Sequence, residues 1–178
     1  KFLQVQGRND DGNLLPFSVD PESYADFLVG IFNELLKLDD PSIEIREIES
    51  IVNTMMGGDN RECMFSGECY KYLTVYPDGS IYACDSLPQI ESLSFGNIKN
   101  GLDAVPLVDN FIRFKDRMKV LNLKCISCEW FNVCRGGCPQ DYWPNVLDNG
   151  SRNMFCISLK KIFSRFNSVI QDYTKEAK

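Results

Sequence analysis

The apolar positions change period several times along the chain, and each change predicts an element. Residues 1–6 alternate, with Leu3 and Val5 on one face and Gln4 and Gln6 on the other, which predicts a short strand. Residues 7–17 are polar and rich in Gly, Asn and Asp, a loop. A helix start follows, with Asp20 to cap, Pro21 at the first position and Glu22 in the first turn. Tyr24, Phe27, Leu28, Ile31, Phe32, Leu35 and Leu36 then recur at helical spacing, and Asp39-Asp40-Pro41 stops the run. The stretch from Ile43 to Met56 fits a strand at first and a helix later.

Beyond Gly57-Gly58-Asp59-Asn60 the period shortens. Tyr72, Thr74 and Tyr76 alternate with Leu73 and Val75, Pro77-Asp78-Gly79-Ser80 supplies a turn, and Ile81-Tyr82-Ala83 returns. That hairpin folds Cys84 back toward Cys69. Helical spacing resumes at Phe111, Ile112, Lys115 and Met118 within residues 110–120, and again at Leu159, Ile162, Phe163, Phe166, Val169, Ile170 and Tyr173. Both stripes read as core packing. The opening strand, loop and helix form a β/α unit that cannot bury its own faces. Residues 1–57 therefore read as the last β/α unit of a larger domain plus a linker, with the chain beginning mid-protein, and 58–178 as a second domain.

Composition narrows the function. The chain has 178 residues, 44% hydrophobic and 25% charged, which is globular composition. A net charge of −6 argues against a nucleic-acid partner, whose phosphates demand a basic surface. No apolar run is long enough to span a membrane, and no charged segment followed by an apolar one opens the chain. The cytoplasm is the expected compartment. There is no histidine, which removes Ser–His–Asp and Cys–His nucleophile systems, mixed Cys–His zinc sites and haem ligation by histidine. There are eight cysteines: Cys63, Cys69, Cys84, Cys125, Cys128, Cys134, Cys138 and Cys156.

Their spacing runs C-x5-C-x14-C, a gap of 40 residues, then C-x2-C-x5-C-x3-C-x17-C. Three chemistries compete. Disulfides need an oxidising compartment. Two all-cysteine zinc sites would use all eight, although zinc usually draws on two tight pairs and Cys125/Cys128 alone is so close. Iron–sulfur cubanes accept ligands from loops of varied spacing, and C-x2-C-x5-C-x3-C followed by Pro139 has a ferredoxin-like form in which a run shares its ligands between clusters. Gly136 and Gly137 permit close backbone approach, and their N–H groups can bond to sulfur. Two 4Fe–4S clusters fit best.

The pattern, together with "VYPDGSIYACD" at 75–85, "FGNI" at 95–98, "CRGGCP" at 134–139 and "NMFC" at 153–156, resembles the SPASM domain. That domain is the C-terminal two-cluster module of many radical S-adenosylmethionine (SAM) enzymes. Residues 1–57 are similar, more weakly, to the last β/α unit of the partial barrel that precedes it. The resemblance implies that Cys63, Cys69, Cys84 and Cys138 hold a first auxiliary cluster, and Cys125, Cys128, Cys134 and Cys156 a second. Among family members the chain is similar to the anaerobic sulfatase-maturating enzymes, which oxidise a Cys or Ser of a sulfatase to formylglycine, and to ribosomal-peptide maturases. In the former the aspartate after the third first-cluster cysteine is the base that deprotonates the substrate; here it is Asp85, which can equally cap a turn.

One departure matters. The C-x3-C-x2-C motif that binds the SAM cluster is absent, since Asp141 stands where Cys134-x3-Cys138 would need its third cysteine. S-adenosylmethionine and a third cluster are expected on a separate N-terminal radical SAM domain. The implied function is the auxiliary-cluster part of a maturase that oxidises or cross-links a peptide or protein, with a flavodoxin or ferredoxin as external electron donor or acceptor. The alternatives are a stand-alone ferredoxin-like carrier and a zinc-stapled interaction module. Tyr142-Trp143-Pro144 and Arg135 could cover a cluster or contact a peptide, or simply pack and be solvated. The expected fold is α+β: the β/α unit, a small hairpin, loops on two clusters, and a C-terminal helix.

Overall fold

The computed structural model describes residues 7, 9, 13, 15–60, 62–142, 144–148 and 152–176. The strand expected at 1–6 lies outside these residues, as does Trp143. The described chain carries helices α1 (Pro21–Leu38), α2 (Arg46–Met55), α3 (Asp109–Cys125), α4 (Phe131–Cys134) and α5 (Cys156–Glu176). A single two-stranded antiparallel sheet, β1 (Thr74–Val75) with β2 (Ile81–Tyr82), and several short 3-10 turns complete it. The α+β expectation is met at this level. No helix among the described residues is long and apolar enough to cross a membrane.

The chain divides into two compact units. The first comprises residues 1–62, 132–134 and 154–178. Its first helix starts as its sequence predicts. The Asp20 carboxylate accepts from the Ser23 N–H at 2.9 Å, Pro21 needs no such acceptor, and Asp39 ends the helix in the left-handed region at φ 47°. The ambiguous stretch resolves as α2. Asp40 Oδ1 accepts from both the Ser42 N–H and hydroxyl in a turn at 41–42, and after an extended Ile45 the helix begins at Arg46. Ile48 and Ile51 then face inward.

Helix α5 packs on α1 and α2. Leu159, Ile162, Phe163 and Phe166 are buried, and the Phe166 ring stacks on Phe32 with centroids 3.9 Å apart. Tyr24 meets Phe155 edge-on at 5.7 Å. The apolar stripe continues in sequence to Tyr173, but that ring is 60% exposed, so packing stops before the pattern does. By compactness α5 sides with residues 1–62, whereas the division at 57/58 was drawn from composition and resemblance.

The second unit comprises residues 63–131 and 135–153. Its hairpin pairs Thr74 with Tyr82 and Val75 with Ile81. The Asp78 carboxylate accepts from the Ser80 N–H and hydroxyl, and Gly79 at φ 85° closes the turn. A Cβ at Gly79 would sit 2.8 Å from Asn97 Oδ1, because the segment 95–98 lies directly against the hairpin. Ile81 both donates to the Gly96 carbonyl (2.9 Å) and accepts from Phe95 (2.7 Å).

Helix α3 runs well beyond the predicted 110–120. Its buried face is Phe114, Met118 and Leu121 with Phe111 beside them, while Ile112 is exposed. The face assigned from spacing was therefore rotated: Phe114 is its centre, with Phe95 against it at 5.5 Å. Arg117 is also buried on α3, where its Nε–H donates to the Val146 carbonyl at 2.9 Å and its guanidinium lies over the Tyr142 ring.

Candidate functional site

Six of the eight cysteines fall in the second unit, and four of these stand at separate turns or strand ends. Cys63 opens a 3-10 turn (Cys63–Phe65), Cys69 opens another (Cys69–Lys71), Cys84 follows β2, and Cys138 precedes the turn Pro139–Tyr142. The hairpin brings Cys84 back to Cys69 as expected. Burial pushes the Cys69 thiol up to about 12, and the charges of Cys63 and Cys84 add to the shift. Burial also raises Cys138 well above the usual thiol range. Asp141 contributes next, Cys69 and Cys84 less, and the Gln140 backbone N–H opposes them.

Cys63, Cys69, Cys84 and Cys138 thus form one electrostatic neighbourhood. Thiols gathered so that each resists the ionisation of its neighbours are inert alone. Bound metal cations reverse that sign and deprotonate coordinating thiols outright. The donor set is all sulfur, which suits iron–sulfur clusters or zinc.

Among the described residues, which include all eight cysteines, no group of three or more Cys, Asp or Glu side chains is arranged to hold a metal ion. No disulfide joins any of the cysteines.

The other four cysteines are divided between the units. Cys125 ends α3 and Cys128 follows one turn later, its N–H donating to the Cys125 carbonyl at 2.9 Å; both lie in the second unit. Cys134 ends α4 and Cys156 opens α5; both lie in the first. The grouping of this second set is what the family resemblance implies.

Asp85 is exposed beside Cys84. Its Oδ1 accepts from the Cys84 thiol at 3.5 Å and the Ser86 hydroxyl at 3.4 Å, while the Ser86 N–H donates to Cys84 Sγ at 3.4 Å. The N–H···S bond is the kind that accompanies ligating cysteines. The loop between Cys134 and Cys138 is left-handed throughout, with φ 49° at Arg135, 91° at Gly136 and 76° at Gly137. Two glycines make that run accessible, and Arg135 lays its guanidinium over the Phe131 ring at 4.8 Å.

A group that the spacing argument passed over is Asp141 with Asn153, both buried. The Asn153 amide donates to Asp141 Oδ2 (3.1 Å) and to the Gly136 carbonyl (3.3 Å), and that carbonyl also accepts from the Tyr142 hydroxyl at 2.8 Å. Polar residues set among aromatics between and beside cysteines, in "CPQDYW" and "NMFC", were the available signal.

The homologues of the chain are radical SAM enzymes: anaerobic sulfatase-maturating enzymes and a radical SAM cyclopropyl synthase. No protein-family model matches it. It is 27% identical over 178 residues to the cysteine-type anaerobic sulfatase-maturating enzyme of Clostridium novyi (strain NT), covering 93% of this chain and 46% of that one. It is 25% identical over 180 residues to the serine-type anaerobic sulfatase-maturating enzyme of Klebsiella aerogenes, covering 99% and 43%. Native anSMEcpe solved with bound AdoMet and Cp18Cys peptide shares the fold, with TM-score 0.74 and 22% identity over 97% of this chain and 47% of that one. The chain spans less than half the length of these relatives.

Proposed function

We propose that this chain is the auxiliary-cluster, SPASM-type part of a radical SAM maturase that oxidises a peptide or protein. Cys63, Cys69, Cys84 and Cys138 would ligate one 4Fe–4S cluster, and Cys125, Cys128, Cys134 and Cys156 the other. The observation that carries the reading is the electrostatic neighbourhood of the first four thiols, Cys69 with Cys63 and Cys84, and Cys138 with Cys69 and Cys84. Bound there, the clusters supply one-electron redox chemistry at low potential.

The chain's own residues do the rest. Cys69 and Cys138, whose thiols resist ionisation, would give up protons on ligation, coupling assembly to the folding of this unit. Asp85, exposed and beside Cys84, is the carboxylate that would take a proton from the substrate as it is oxidised. A peptide partner is supported by the Cp18Cys peptide bound to anSMEcpe. Cysteine-type and serine-type relatives align over the same region, so formylglycine formation from either residue is compatible with this framework. S-adenosylmethionine and the third cluster would come from a radical SAM domain outside this chain, with a flavodoxin or ferredoxin to exchange electrons.

The test is iron and acid-labile sulfide per chain, with an absorption spectrum, on protein purified without oxygen. About eight of each and a broad band near roughly 400 nm are expected for two thiolate-bound cubanes. Stoichiometric zinc without sulfide would overturn the reading. Asp85→Asn, introduced into the complete maturase, should keep the iron and abolish the mass change of the substrate peptide.

A further inference from the structure

We propose that the outer edge of β1 is a docking strand, on which an extended segment of the peptide partner pairs by its backbone. The proposal rests on the peptide-modifying reading above and names how the peptide is held. The two sides of the hairpin are unequal. Beyond β2 the segment 95–98 completes the pairing: Ile81 donates to the Gly96 carbonyl and accepts from the Phe95 N–H, Ser80 bridges to Asn97, and the Ile98 N–H donates to the Gly79 carbonyl at 2.8 Å. Among the described residues no strand pairs beyond β1.

The register shows which groups are left. Ile81 directs its N–H and C=O to segment 95–98, so its pairing with Val75 is the non-hydrogen-bonded kind of an antiparallel ladder. Val75 therefore turns its own N–H and C=O away from the sheet, while Tyr76 donates inward to the Ser80 carbonyl at 2.9 Å. Leu73 faces outward with Val75 by the two-residue alternation. Among the described residues neither makes a backbone hydrogen bond outside the hairpin. Two donors and two acceptors thus face outward with a repeat of about 7 Å, and the ligand that matches them is another extended backbone.

The side chains agree. Val75 lies across from Ile81 on one face of the hairpin; Ile81 is fully buried, yet Val75 is 48% exposed and Leu73, on the same face, 41%. The core layer runs out to the edge and stops uncovered, so a partner strand with apolar residues at alternate positions extends it. Residues 72–76 carry no charge and no proline, the devices that blunt an edge. The same edge is too short for a second copy of the chain, since a stable interface uses roughly 20–30 residues a side. One end of a strand added to β1 points to the Cys69 and Cys84 end of the hairpin, where Asp85 stands.

The experiment adds the synthetic peptide Lys-Val-Thr-Val-Thr-Val-Lys, acetylated and amidated, to the full chain carrying its clusters. Hydrogen exchange is followed residue by residue by mass spectrometry, with iron and sulfide measured on every sample. Exchange of the Leu73 and Val75 amides should slow as peptide is added, while Thr74 and Tyr76, which point inward, change little. Methylating alternate peptide nitrogens, those that would meet β1, should remove the effect. Val75→Pro deletes one outward N–H and no ladder bond, a change that edge strands tolerate, and should abolish the slowing at Leu73. If Val75→Pro opens the hairpin, seen as lost protection at Tyr76, Val75→Lys repeats the test with a charge on the edge. Exchange at Leu73 and Val75 that ignores the peptide in iron-loaded protein would overturn the proposal and leave the cluster reading standing. Slowing that follows protein concentration without peptide would also overturn it, since a second copy would then be the occupant. Absence of iron and sulfide from wild-type protein would instead overturn the reading on which the proposal stands.

Discussion

The two units solve the folding problem by different means. The first is three helices whose apolar stripes meet: Phe32 on Phe166, Tyr24 on Phe155, with Asp26 and Asn33 of α1 bonded to Lys161 and Arg165 of α5 at the rim. Regular backbone satisfies its own hydrogen bonds, so side-chain packing carries the stability. The second unit has one long helix, a hairpin of two residues per strand, and a series of 3-10 turns that carry thiols. Its aromatic core around Phe95 and Phe114 is real, yet Cys63, Cys69, Cys84 and Cys138 sit on irregular chain, where Cys69 and Cys138 resist ionisation. A fold that spends its chain on irregular turns needs another source of free energy, and the proposed cluster ligation would supply it.

The largest effect should come from removing the metal. Chelation of iron is expected to abolish amide-exchange protection across residues 63–156 while α1 and the part of α5 from Leu159 onward keep theirs, as read by hydrogen-exchange mass spectrometry. Uniform protection in the stripped protein would erase the contrast between the units.

Next in size are two core truncations that sharpen the contrast. Phe166→Ala in the first unit should cost about 3–5 kcal/mol, the range for emptying an aromatic site. It should do so equally with and without iron. Phe114→Ala, also fully buried, should cost a similar amount in the iron-loaded protein and almost nothing after chelation, because its unit is then already open. Denaturant unfolding of both variants in both states makes the comparison. A cost for Phe114→Ala that survives chelation would mean that the aromatic core holds the second unit alone.

The same contrast explains what the sequence reveals. Helix α1 was readable to the residue because Asp20, Pro21 and Asp39-Asp40-Pro41 are local signals with local causes. The hairpin was readable from Pro77-Asp78-Gly79-Ser80 for the same reason. The apolar face of α3 was misjudged because Ile112 and Phe114 both fit a helical stripe, and only the tertiary partner Phe95 decides between them. The ambiguous Ile43–Met56 stretch is preceded by a turn that Asp40 closes on Ser42, just outside the apolar window.

At the site, cysteine spacing marked the candidate thiols but not their grouping, since the neighbourhood of Cys138 with Cys69 and Cys84 is long-range. Asp141 escaped because burial of a carboxylate is a property of the fold; in the sequence it is one acidic residue in a polar-looking segment.

The smallest expected effect isolates a single local signal in the first unit. The hydrogen bonds from the Ser23 side chain and backbone hold the Asp20 carboxyl below its ordinary value of 3.8. A group whose folded value is depressed stabilises the fold above its unfolded value, and the contribution fades as pH falls through the folded one. Asp20→Ala should therefore lower the melting temperature slightly at neutral pH, with the helical signal intact. The difference from wild type should shrink as pH drops below about 3.8, where the protonated carboxyl is a weaker acceptor for the first-turn N–H groups and loses its attraction to the positive end of the helix. Thermal melts of the two proteins across that range make the measurement. A difference independent of pH would assign the cap to hydrogen bonding without charge, and the contrast with the metal-dependent unit would stand on packing alone.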